Sequence, residues 1–103
     1  MTTPTLTERA EQHYAQQLTA RGVPEHLHEG LILYLTRGIL PGSFLLAIVL
    51  NDLVATVGHA DDDAMRGIKS LVQFLYYDTP GTAWGSPAKV EAWRETFRTG
   101  GAA

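Results

Sequence analysis

Residues 44 to 57 read FLLAIVLNDLVATV, and this run constrains the fold more than any other part of the chain. Advancing about 100° per residue from Phe44, the side chains of Leu46, Val49, Leu50, Leu53, Val54 and Val57 fall in one broad apolar arc, and Phe44, Ile48 and Ala55 form a second. A helix apolar on nearly all sides belongs in the middle of a domain. Its start is well marked: Pro41 stops any preceding helix, and Ser43 is placed to cap the next by accepting from the amide of Leu45 or Leu46. The competing reading is a β-hairpin that turns at Asn51-Asp52, since Val and Ile favour strands. The Leu and Ala content and the cap favour a helix over 44–58, and one isolated hairpin would be marginal among helices.

The flanking segments also read as capped helices. Thr5 and Glu8 form the T-x-x-E pattern of a capping box. Ala10, Tyr14 and Leu18 then recur at four-residue spacing until Arg21-Gly22, where glycine supplies a left-handed stop. Pro24 suits the first position of a second helix, with Leu27, Leu31, Tyr34 and Leu35 on its face and Gly38 at its end. Asp61-Asp62-Asp63 places carboxylates where a helix N-terminus favours them, ahead of a face of Ala64, Ile68, Leu71, Val72 and Leu75. Ser86-Pro87 opens a last helix carrying Val90, Trp93 and Phe97. The expectation is a single all-α domain over 1–103, a compact bundle of about five short helices around 44–58, with 1–4 and 99–103 flexible.

A chain of this length buries about two thirds of its unfolded surface without staples. It has no cysteine, which removes disulfides, thiolate metal sites and thiol nucleophiles. A net charge of −3 argues against nucleic acid as a partner, because a phosphate-binding face needs clustered Lys and Arg. The longest unbroken apolar run, 44–50, is too short to span a bilayer, and the N-terminus lacks a leader pattern, so the expected location is the cytoplasm.

Four stretches carry a resemblance: LPGSFLLAIVLNDL at 40–53, HADDD at 59–63, FLYYDTP at 74–80 and WGSPAKVEAW at 84–93. Together they resemble a family of small proteins encoded by phages and bacterial mobile elements. That family usually carries FLYN where this chain has FLYY, so Tyr77 departs from the pattern. The resemblance implies no catalytic residues. It implies a setting in which small accessory proteins act by binding, including inhibition of host defence proteins.

Candidate sites begin at Asn51 and Asp52, which the helical wheel sets among apolar neighbours. Three readings stand: a tie to the 78–86 loop, a polar lining at a subunit interface, or a ligand contact. Tyr76, Tyr77, Trp84 and Trp93 flank that loop, and Trp84 is placed either to staple onto the last helix or to stack on a planar ring. His26, His28 and Glu29 cluster, but the i, i+2 spacing points the two rings apart, so no metal is expected. No catalytic set and no cofactor motif is present. The chain is therefore read as a non-enzymatic binding protein, a homo-oligomer occupying a host protein. The alternative is a binder of a nucleotide-type signal between subunits. The residues implicated are Asn51, Asp52, Tyr77, Trp84, Ser86 and Arg94.

Overall fold

Local hydrogen bonding fixes where each helix starts and stops. In a computed structural model, which describes residues 3–98, the first helix, α1 (Leu6–Ala20), opens on the expected capping box. The Thr5 hydroxyl accepts from the Glu8 amide at 3.0 Å, and the Glu8 carboxylate accepts from the Thr5 amide at 3.3 Å. The helix closes on Gly22, at φ 74°, with Val23 donating to the Leu18 carbonyl and Gly22 to that of Thr19, the paired bonds of a Schellman turn. Thr3 and Pro4 are exposed and non-helical, while 1–2 and 99–103, also expected to be flexible, lie outside the described residues.

Pro24 does not start an α-helix. It precedes a single 3₁₀ turn, Glu25–Leu27, and α2 begins at His28 and runs to Arg37. The proline ring is used sideways instead: a Cβ built on Gly67 would lie 2.6 Å from Pro24 Cδ, so glycine is what lets a later helix pass this close. α2 buries Leu31, Tyr34 and Leu35 and ends on the left-handed Gly38.

The expected central helix over 44–58 is two helices. The first, α3 (Ser43–Val49), buries Phe44, Leu45, Ala47, Ile48 and Val49. Its N-cap is Gly42 rather than Ser43, which is the first helical residue. The second, α4 (Leu53–His59), turns away from it. At the corner Asn51 adopts φ 62°, the only left-handed non-glycine residue among those described. Asp52 donates its amide to Ala47 and Asn51 donates to Ile48, a second Schellman turn, with asparagine in the glycine position. Asp52 then caps α4 by accepting from the Ala55 amide at 3.0 Å. The Asn-Asp pair is a stop followed directly by a start. The hairpin reading placed a turn here correctly, but the turn joins helices.

Asp61 caps α5 (Asp62–Asp78) by accepting from Ala64 at 2.7 Å, with Asp62 and Asp63 in the first turn. α5 buries Ala64, Gly67, Leu71, Phe74 and Leu75, whereas Val72, expected on the packed face, is exposed. The Tyr14 ring meets Phe74 edge-on, and Arg21 grips Asp78 through two bonds of 2.7 and 3.2 Å, holding α1 along α5. α6 (Pro87–Arg98) starts on the expected Ser86 cap, whose hydroxyl accepts from Lys89. The described residues thus form an all-helical bundle with no strand, and the Cα radius of gyration of 13.5 Å is close to the ~13 Å expected of a packed domain this long. No described helix is long and apolar enough to cross a membrane.

Candidate functional site

The six residues singled out from the sequence do not share one site. Each has a local partner. Asn51 and Asp52 build the α3–α4 corner, and both are exposed, so neither carboxylate nor amide is stranded in the core. The tie to the 78–86 connection exists, but its acceptor is the Val49 carbonyl, which receives the Gly85 amide at 2.8 Å. Trp84 is half-buried and donates its indole N–H to the Leu75 carbonyl at 3.1 Å, a packing role. Ser86 caps α6.

Tyr77 stacks under Arg21, whose guanidinium carbon sits 5.1 Å from the ring centre. The hydrogen bond to Asp78 pushes Arg21 above its ordinary pKa, with charge attraction to Asp78 and Tyr77 adding to it against burial. Arg94 lies at the far end of the bundle. With Arg37, Arg98, Gly38 and Phe97 it lines an open cavity of about 220 Å³. The three arginines there face three carboxylates: Arg37 bonds Glu11, Arg94 bonds Glu91, and Arg98 lies 3.7 Å from Glu91 and 3.3 Å from Glu95. Each arginine is thus offset by a carboxylate that does not itself line the cavity. The Arg94 Nε is buried without an acceptor. Among the described residues no group of three His, Cys, Asp or Glu side chains is placed to hold a metal.

The unusual surface is α4. Its amphipathicity is reversed: Thr56 is 5% exposed, while Leu53, Val54 and Val57 are 75%, 83% and 49% exposed. The Thr56 hydroxyl tolerates burial because it donates to the Asp52 carbonyl of its own helix at 2.6 Å. Beside α4, α5 exposes Met65, Val72 and Tyr76. The two helices flank a cavity of about 100 Å³ lined by Ile48, Leu53, Thr56, Ile68 and Val72, with Asn51 and Asp52 at its edge. On the other side of α4 a groove of about 180 Å³ runs over Leu46, Ala47, Leu50 and Ala55 and is bounded by Ser43, Asp52 and His59. Three aliphatic side chains on one seven-residue helix are left exposed to solvent.

These aliphatics were expected in the core, and the one signal against it was the Asn-Asp pair itself. Read as C′ and N-cap, it rotates everything after residue 52 out of the first arc. Replacing Asp52 by alanine is expected to cost about 1 kcal/mol in urea unfolding, and asparagine, which caps equally well, should restore it. No protein-family model, curated protein or solved structure matches this chain.

Proposed function

We propose that this chain is a non-enzymatic binding protein whose α4–α5 face docks another protein. The reversed amphipathicity of α4 carries the reading: it buries a threonine and leaves Leu53, Val54 and Val57 in solvent, where covering them would add stability. The segment Leu53–Val57 holds no charged side chain, which suits the dry centre of a protein interface. With Met65, Val72 and Tyr76 it forms an apolar surface from which a standard interface, roughly 800 Å² per partner, could be built. The resemblance of 40–93 to accessory proteins of phages and mobile elements favours a host protein as the partner, and the apolar surface left on so short a chain favours an oligomer as the working form. The dispersal of Asn51, Tyr77, Trp84, Ser86 and Arg94 over separate local roles gives the nucleotide reading no comparable support.

Val54→Asp tests it. Because Val54 is almost fully exposed, the variant should unfold within about 0.5 kcal/mol of the parent. It should also lose capture of a host-lysate partner by at least about tenfold, since a charge now sits unpaired in the contact. Unchanged capture by Val54→Asp, or a rise in melting temperature with a nucleotide that Trp84→Ala abolishes, would sink the reading.

A further inference from the structure

We propose that the α3–α4 corner opens, so that residues 43–59 become one continuous helix and α4 is exchanged with a second copy of the chain. This rests on the α4–α5 face being a protein-docking surface and names its first occupant.

The corner is built from interactions that a straight helix would replace. Opening exchanges the Asn51-to-Ile48 and Asp52-to-Ala47 backbone bonds for ordinary i to i−4 bonds, to Ala47 and Ile48 respectively. It also supplies acceptors, the carbonyls of Val49 and Leu50, to the amides of Leu53 and Val54, which as the first turn of α4 have none within the helix. Val49 already receives Gly85, and a carbonyl takes two donors. The side-chain cap on Ala55 is lost, and its amide gains the Asn51 carbonyl. Asn51 meanwhile leaves the left-handed region.

Packing also permits movement. Of α4, only Thr56 is buried, and cavities lie on both of its sides. The side chains say where the freed helix goes. On an uninterrupted helix Leu46, Val49, Leu50, Leu53, Val54 and Val57 realign in one stripe, which the corner cuts in half. A second copy fits both needs. Exchange returns each α4 to the groove it already matches, and two straightened helices cross at their hinge segments, where Leu50, Leu53 and Val54 of each cover the other. The crossing contact brings no like charges together, because on the continuous helix Asp52 lies about 100° or more around the axis from Leu50, Leu53 and Val54.

The absence of cysteine allows clean labelling. Nitroxides on Ser43→Cys and His59→Cys, diluted into unlabelled protein so that pairs within one chain are read, bound one groove in the folded corner. On one continuous helix they stand about 24 Å apart, sixteen residues at ~1.5 Å each. The expected result is a population near that distance that grows with concentration in step with dimer mass from light scattering. Asn51→Ala, which disfavours the corner, should tighten dimerisation about tenfold relative to Asn51→Gly, which favours it. A dimer with only the short distance, or a strict monomer for Asn51→Ala at every concentration while circular dichroism shows it folded, overturns the exchange. The docking reading itself fails separately, if Val54→Asp leaves partner capture unchanged.

Discussion

Tyr34→Ala is expected to lower the melting temperature by an amount on the order of 20 °C, from a loss of about 4 kcal/mol out of the 5–15 typical of a domain this size. Tyr34 is fully buried and joins three parts of the fold. Its ring, from the middle of α2, lies in the core, its hydroxyl donates to the Ala83 carbonyl in the 79–86 connection, and its own carbonyl accepts from the Trp93 indole at 3.1 Å. Tyr34→Phe separates these roles. It keeps the ring and leaves the carbonyl of buried Ala83 without its donor, for a loss of about 1–3 kcal/mol.

The same hydroxyl makes stability depend on alkaline pH. Burial pushes the Tyr34 phenol up to about 12, with the positive charge of Arg94 opposing part of the rise. In the unfolded chain a tyrosine titrates near 10. A group whose folded pKa is raised contributes stability fully present below about pH 10, and that stability is lost as pH climbs through 12. Urea midpoints measured from pH 9 to 12 should therefore fall, by the equivalent of about 2 kcal/mol from this group. Tyr34→Phe should flatten the decline. A residual slope should persist from Tyr14, whose phenol burial also raises.

Gly38→Ala is the second large effect, about 2–4 kcal/mol in the same unfolding experiment, because two penalties coincide. The residue sits at φ 70°, where a Cβ crowds its own backbone. That Cβ would also stand 2.7 Å from Phe97 Cδ2 and 3.1 Å from Phe97 Cβ, and the latter is anchored to α6. Gly22→Ala is the control. Gly22 has φ 74° with nothing within 4 Å of its notional Cβ, so it should cost only about 1–2 kcal/mol, and the difference between the variants measures how tightly α6 closes on the end of α2. Adding Phe97→Ala to both variants should shrink that difference, since it removes the ring but keeps the anchored Cβ.

Helix limits were legible at most of the caps whose partners lie within a few residues, Ser43 being the exception because Gly42 takes the cap position. Thr5 with Glu8, Asp61 with Ala64, Ser86 with Lys89, and the glycine stops at 22 and 38 all form as the spacing predicts. Asn51-Asp52 obeys the same local chemistry, and was misread because the apolar wheel across 44–58 gave a longer helix more weight than two polar residues. Of the candidate site, Ser86 was legible as a cap. The partners of Trp84 and Tyr77 were not, since the Leu75 carbonyl and the Arg21 guanidinium are brought to them by other turns of the fold.

Composition and pattern alone therefore determined an all-helical fold, most of its punctuation, its lack of cysteine and its net negative charge. Only the tertiary structure decided which half of FLLAIVLNDLVATV is covered. Hydrophobicity is a property of a side chain, but burial is a relation between surfaces. α3 sends Phe44, Leu45, Ile48 and Val49 into the common core, whereas α4 buries only Thr56. The physical consequence is an aliphatic face at Leu53, Val54 and Val57 that the fold makes and does not itself bury.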